Sequence, residues 1–135
     1  MSNEGMNFKD NDNNILILDD EFEIMTLLKM ALERQKYSVC GFIEPLTTLE
    51  HFKINCTKYG LVISDIRMPA MNGFDFVKNI RQIRSDVKVL LMSAFAVEED
   101  PEFSAKLKSN NIDGFIQKPF SMKKMHQVVT THFSV

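Results

Sequence analysis

Four short apolar runs in this 135-residue chain end in groups that can do chemistry. Ile15-Leu16-Ile17-Leu18 runs into Asp19-Asp20, and Tyr59 to Ser64 runs into Asp65. Val87 to Met92 ends at Ser93, and Phe115-Ile116-Gln117 ends at Lys118. If these runs are strands of one parallel sheet, they exit along the same edge, where ligands of open α/β sheets bind. Three carboxylates then share a crevice with a hydroxyl and an ammonium. Carboxylates ~4 Å apart repel by about 4 kcal/mol per pair at an effective dielectric near 20, so Lys118 alone does not compensate the cluster. Hard oxygen donors with open positions suit magnesium, which holds few carboxylates, keeps waters and bridges to phosphoryl oxygens. Each aspartate alone could merely cap a helix or open a turn. That simpler account does not explain why all of them stand at strand ends beside Ser93 and Lys118.

The elements that must hold these groups alternate in hydrophobic period. Ile24, Leu27, Leu28, Ala31 and Leu32 mark one face of a helix over roughly residues 21 to 36. Residues 37 to 43 read as a second strand, and Pro45 suits the first turn of a helix that turns Leu46, Leu49 and Phe52 inward. After the turn-rich stretch from Arg67 to Gly73, the positions Phe74, Val77, Ile80 and Ile83 define a third helix, with Asn72 as its cap. Asp100-Pro101 reads as an N-cap and first-turn proline opening a short helix with Phe103 and Leu107. Ser121 caps a last helix whose buried stripe is Met122, Met125, Val128 and Val129. Five strands alternating with five helices predict an α/β fold, a doubly wound parallel sheet covered on both faces. Residues 1–13, polar and Asn-rich, are expected to form a mobile tail before a single domain over 14–135.

Composition removes several function classes. Sixteen basic and eighteen acidic residues leave a net charge of −2, which supplies no general footprint for nucleic acid or an anionic membrane. No apolar run approaches the ~20 residues that cross a bilayer, and no signal-peptide core opens the chain, so a cytoplasmic protein is expected. Cys40 and Cys56 lie apart from any metal-ligand spacing and read as reduced thiols, and His51, His126 and His132 are equally scattered. Asp-Asp-Glu follows the first strand where a Gly-rich nucleotide loop would stand, which argues against nucleotide binding of the dinucleotide-fingerprint or P-loop kinds.

From Asn14 to Val129 the chain resembles the receiver domains of two-component response regulators. The resemblance is carried by Ile15-Leu16-Ile17-Leu18-Asp19-Asp20-Glu21, by the stretch from Ser64-Asp65 to Asn72-Gly73, by Met92-Ser93-Ala94, and by Phe115-Ile116-Gln117-Lys118-Pro119-Phe120. It implies the flavodoxin-like strand order 2-1-3-4-5 and phosphorylation of Asp65 by a histidine kinase or phosphotransfer protein. Magnesium would be held by Asp20, Asp65 and the backbone carbonyl of Arg67, with Asp19 acting through water. Lys118 would pair with a phosphoryl oxygen and Ser93 would donate its hydroxyl to another, with small Ala94 leaving room for the group. Lys118-Pro119 resembles the family's cis peptide. Ser93 and Phe115 would form the switch, the hydroxyl moving inward and the ring filling the vacated space, so that the face made by the fourth helix, fifth strand and fifth helix changes its partner.

Some positions depart from the family's commonest pattern. The stretch between Ser93 and Lys118 is a few residues longer than usual, around Glu98-Glu99-Asp100-Pro101. Asn111 stands where glycine is usual before the fifth strand, and Asn tolerates a left-handed cap. The resemblance implies that Arg67 and Phe95 occupy positions that, in the family, tune access of water to the acyl phosphate. Two other functions compete with the receiver reading. A haloacid dehalogenase-like phosphohydrolase would also use an aspartate and magnesium, but needs D-x-D after the first strand, which Asp19-Asp20-Glu21 does not supply. A pseudo-receiver would dock partners without phosphorylation, and intact Asp65, Ser93 and Lys118 argue against it. The expected assembly is a monomer or a weak phosphorylation-dependent dimer, with an unnamed downstream protein as output.

Overall fold

A computed structural model describes residues 13–94 and 101–133. The elements are β1 (Asn14–Leu18), α1 (Phe22–Arg34), β2 (Ser38–Phe42), α2 (Pro45–Asn55), a 3₁₀ turn (Cys56–Lys58), β3 (Tyr59–Asp65), α3 (Gly73–Ile83), β4 (Lys88–Ser93), α4 (Pro101–Ser109), β5 (Gly114–Gln117) and α5 (Met122–His132). All strand pairs are parallel and the sheet order is β2-β1-β3-β4-β5. The predicted fold class and strand order are therefore those observed.

The unbroken apolar runs make sense in this arrangement because each strand is buried on both faces. Ile15, Ile17, Leu61, Ile63, Leu90 and Met92 pack against α1 and α5 through Met25, Leu28, Leu32, Met125 and Val129. Their alternate neighbours Leu16, Leu18, Val62, Val89 and Leu91 pack against Leu49, Phe52, Phe76, Val77, Ile80 and Phe103 from α2, α3 and α4. Two cores share one sheet, and a slip of one residue would exchange them.

The helices follow the predicted positions with three corrections to their buried stripes. Leu27 of α1 is 53% exposed and Met25 takes its place inside, because the stripe facing the sheet is Met25, Leu28 and Leu32. Leu46 and Met122, each in the first turn of its helix, are also exposed. Asn72 and Ser121 cap α3 and α5 as expected, accepting from Asp75 N (2.9 Å) and Lys124 N (3.0 Å). The cap of α2 was not foreseen: Glu44 accepts from Thr47 N and Leu46 N, and these hydrogen bonds hold its carboxyl below the usual range. Asn111 adopts φ 54°, in keeping with its place in the left-handed cap before β5, and Lys36 after α1 does the same at φ 74°. At the end of the sheet away from Asp65, Arg84 donates to the carbonyls of Cys56 and Tyr59, and Arg81 to those of Val87 and Asn111, tying α3 to the loops entering β3, β4 and β5.

Cys40 is buried and Cys56 half-buried, and neither forms a disulfide. No helix among the described residues is long and apolar enough to cross a membrane. The expected tail up to Asp12, the Asp100 cap, the Glu98-Glu99-Asp100 stretch and Phe95 lie outside the described residues.

Candidate phosphoryl-acceptor site

The strand order brings the ends of β1, β3 and β4 side by side, with β5 at the edge, so Asp19, Asp65, Ser93 and Lys118 meet at one end of the sheet. Lys118, 99 residues from Asp19 in the chain, donates from Nζ to Asp19 Oδ2 at 2.8 Å and lies 3.5 Å from Asp65 Oδ2 and 3.6 Å from Glu21 Oε1. Its own amide donates to Ser93 O at 2.8 Å, which closes β5 onto the end of β4, and the Lys118-Pro119 peptide is cis as the resemblance implied. Asp19 is fully buried and its other oxygen accepts from Glu21 N at 2.9 Å, so it also shapes the entry to α1.

Asp65 is 5% exposed. Its Oδ1 accepts from Ile66 N at 3.0 Å while Oδ2 faces Lys118. The loop that follows is held close by Gly73, whose amide donates to Ile66 O at 2.7 Å. A Cβ on Gly73 would stand 2.6 Å from Asp65 O and 2.7 Å from Ile66 Cα, both backbone atoms that cannot step aside. The start of α3 is thereby pressed against the strand end that presents Asp65.

Burial is the main influence on the acid groups. It pushes the Asp65 carboxyl up to about 6; the Lys118 charge opposes this, and the charges of Asp19 and Asp20 add to it. Asp19 is also raised by burial, against the hydrogen bonds from Lys118 and Glu21 N. Burial disfavours the Lys118 ammonium, yet the hydrogen bond to Asp19 and the charges of Asp19, Asp65 and Glu21 outweigh it and leave Lys118 above its ordinary value.

Carboxylate oxygens of Asp19, Glu21 and Asp65 lie within 4.8 Å of one another. Glu21 thus joins this group in addition to the residues the sequence singles out. Asp20, close enough for its charge to act on Asp65, lines an adjoining open groove of about 680 Å³ with Arg67, Phe74, Glu102, Phe103 and Lys106. The only sequence signal for Glu21 was its place directly after Asp19-Asp20. The donor set is all oxygen, carries more negative charge than Lys118 offsets, and so fits a hard divalent cation. Ser93 is buried at the end of β4, and Phe115 is half-buried on β5, on the same sheet face as Ser93. His51 lies away from the site, with a ring nitrogen 2.6 Å from Tyr59 Oη and its ring tilted at 41° to that of Phe42.

A family model described as the response regulator receiver domain matches residues 15–130. The alkaline phosphatase synthesis transcriptional regulatory protein PhoP of Bacillus subtilis is 30% identical over 112 residues, covering 83% of this chain and 45% of that protein. The two-component response regulator ARR10 of Arabidopsis thaliana is 28% identical over 114 residues, 84% of this chain and 20% of that protein. The chain thus spans less than half the length of either curated relative. The chemotaxis protein CheY4 of Vibrio cholerae superposes with a TM-score of 0.81 at 22% identity, covering 90% of this chain and 99% of that one, a likeness of fold. With the family match over nearly all the described residues, and with an acidic crevice at the strand ends where the sequence pattern placed it, this chain belongs to the response regulator receiver domains of two-component systems.

Proposed function

We propose that this receiver accepts a phosphoryl group on Asp65 from a histidine kinase or phosphotransfer protein and passes the change to a protein partner. The observation that carries the reading is the convergence of Asp19, Glu21 and Asp65 on the Lys118 ammonium at the carboxyl ends of β1, β3 and β5. In the reaction an Asp65 carboxylate oxygen attacks the phosphorus of phosphohistidine, the phosphorus–nitrogen bond breaks, and its electron pair leaves with the imidazole. The Asp20 groove beside the site has room for the donor ring. Lys118 neutralises one phosphoryl oxygen as a point charge, and Ser93 donates its hydroxyl to another. Asp19, Asp20, Asp65 and the Arg67 carbonyl would hold magnesium, with Glu21 close enough to Asp19 and Asp65 to share in it. Bound magnesium supplies neutralisation of charge on the transferring group and its in-line placement.

The family is one of signalling switches rather than turnover enzymes, and the chemistry proposed here is limited to the chain's own phosphorylation and dephosphorylation. The added charge draws Ser93 inward, Phe115 follows, and the α4-β5-α5 face is the output surface. Two cysteines outside any disulfide suit a reducing cytoplasm. The assembly in this reading is a monomer or, as the alternative, a weak phosphorylation-dependent dimer.

Acetyl phosphate and magnesium should add one phosphoryl mass to the intact protein, and Asp65→Asn or omission of magnesium should abolish it. No added mass, together with no magnesium-dependent binding of beryllofluoride, would refute phosphotransfer and leave a docking module.

A further inference from the structure

Three phenylalanine rings form a continuous edge-to-face series on the sheet face covered by α3 and α4. Phe103 of α4 stands 5.7 Å from Phe74 at an interplanar angle of 76°, and 5.7 Å from Phe115 at 81°. Phe103 is 8% exposed, Phe74 likewise, while Phe115 is only half-buried. Phe74 follows Gly73, so one end of the series begins at the loop that leaves Asp65. The other end lies near Ser93: the register pairs Leu91 with Phe115 and Ser93 with Gln117, which puts Phe115 one strand over and two residues short of Ser93 on the same face. Lys106, one turn along α4 from Phe103, places Nζ 5.8 Å from the centre of the Phe74 ring and adds a second tie between α4 and α3.

We propose that Phe103 is a positioning residue that holds Phe115 in its half-buried place and makes any movement of Phe115 toward Ser93 a movement of α4 as well. A ring seated edge-on against another has a narrow range of good geometries. If Phe115 turns deeper, Phe103 loses that contact unless its helix follows. Phe103 cannot follow freely either, because its other side is seated on Phe74. The three rings therefore link the loop after Asp65, the helix α4 and the aromatic of β5 into one packed unit with few alternative arrangements. This inference rests on the reading that phosphorylation of Asp65 draws Ser93 inward and opens space for Phe115.

The test uses the full chain with magnesium, beryllofluoride as the probe, and backbone amide resonances as the readout. In the wild type, beryllofluoride should shift the amides of Ile66, of Phe115 and of α4 together. In Phe103→Ala, Ile66 and Phe115 should still shift while the α4 amides stay. The beryllofluoride midpoint should also fall by about two- to tenfold, the equivalent of one aromatic pair removed from the half-buried arrangement. Phe103→Leu, which keeps apolar bulk without a ring, should uncouple α4 in the same way and guards against a loss of folding in the alanine variant. Phe103→Tyr keeps the ring and should keep the coupling. A simple packing defect would weaken beryllofluoride binding and would not separate α4 from Phe115. If the wild type responds but α4 still follows Phe115 in both ringless variants, the role of Phe103 is refuted. If beryllofluoride fails to move Ile66 in the wild type, the reading of Asp65 falls and this inference falls with it.

Discussion

Asp65→Asn should stabilise the magnesium-free protein at pH 7.5, although it removes the residue on which the proposed chemistry depends. The Asp65 carboxyl ionises at about 6 rather than 3.8, chiefly because the fold takes it out of water, with Asp19 and Asp20 adding repulsion. A folded-state value raised for an acid means that the folded chain binds the proton more tightly than the unfolded one, so stability falls as pH rises from about 4 to about 6. Above that window the full cost is present, on the order of 2–3 kcal/mol. Asparagine keeps an oxygen for the Ile66 amide at 3.0 Å and carries no charge, so the cost disappears. Urea unfolding in chelator should therefore show a midpoint about 1 M higher for the variant at pH 7.5, given slopes of about 1–3 kcal/mol per molar. At pH 4 the two proteins should unfold together. His51, whose value is lowered by burial, titrates in both proteins and cancels from the comparison. Magnesium should then stabilise the wild type and leave the variant unchanged, since one of its carboxylate ligands is gone. A variant that is less stable than the wild type at pH 7.5, or a gain that persists unchanged at pH 4, would refute the electrostatic account.

Three further outcomes follow from the same geometry. Lys118→Ala leaves the fully buried Asp19 without its 2.8 Å partner and should destabilise the protein by on the order of 3 kcal/mol at pH 7.5, with a smaller loss at pH 4 where Asp19 takes up a proton; paired urea titrations would measure it. Gly73→Ala forces a Cβ against the backbone of Asp65 and Ile66, and should cost about 1–3 kcal/mol and slow phosphorylation by acetyl phosphate, as followed by mass. Lys36→Gly relieves a left-handed residue at the end of α1 and should raise stability by about 1 kcal/mol without changing the phosphorylation rate.

Much of the fold was legible because burial on both faces of a parallel sheet leaves unbroken apolar runs, and each run here ended at the residue that closes it. Asn111 was legible for a local reason too, since few residues other than glycine accept a left-handed backbone. The stripes of α1, α2 and α5 were less so. Leu27, Leu46 and Met122 fit a helical period as well as their buried neighbours do, and only the distance of each from the sheet decides which is covered.

The candidate site divides along the same line. Residue types and their positions at strand ends by themselves indicate an acidic crevice fit for a hard cation. Which oxygens meet was a different matter. Asp19, Asp20 and Glu21 leave β1 in succession, and the chain path into α1 decides that Glu21 meets Asp19 and Asp65 while Asp20 lines the adjoining groove. The contact of Lys118 with Asp19 and that of Phe103 with Phe115 depend likewise on where β5 and α4 dock. Sequence determined the chemical groups and the periodicity that buries them, because both are local properties. Tertiary structure decided their pairings, because a hydrogen bond across 99 residues or an edge-to-face ring contact exists only once the sheet order and helix packing have fixed its distance.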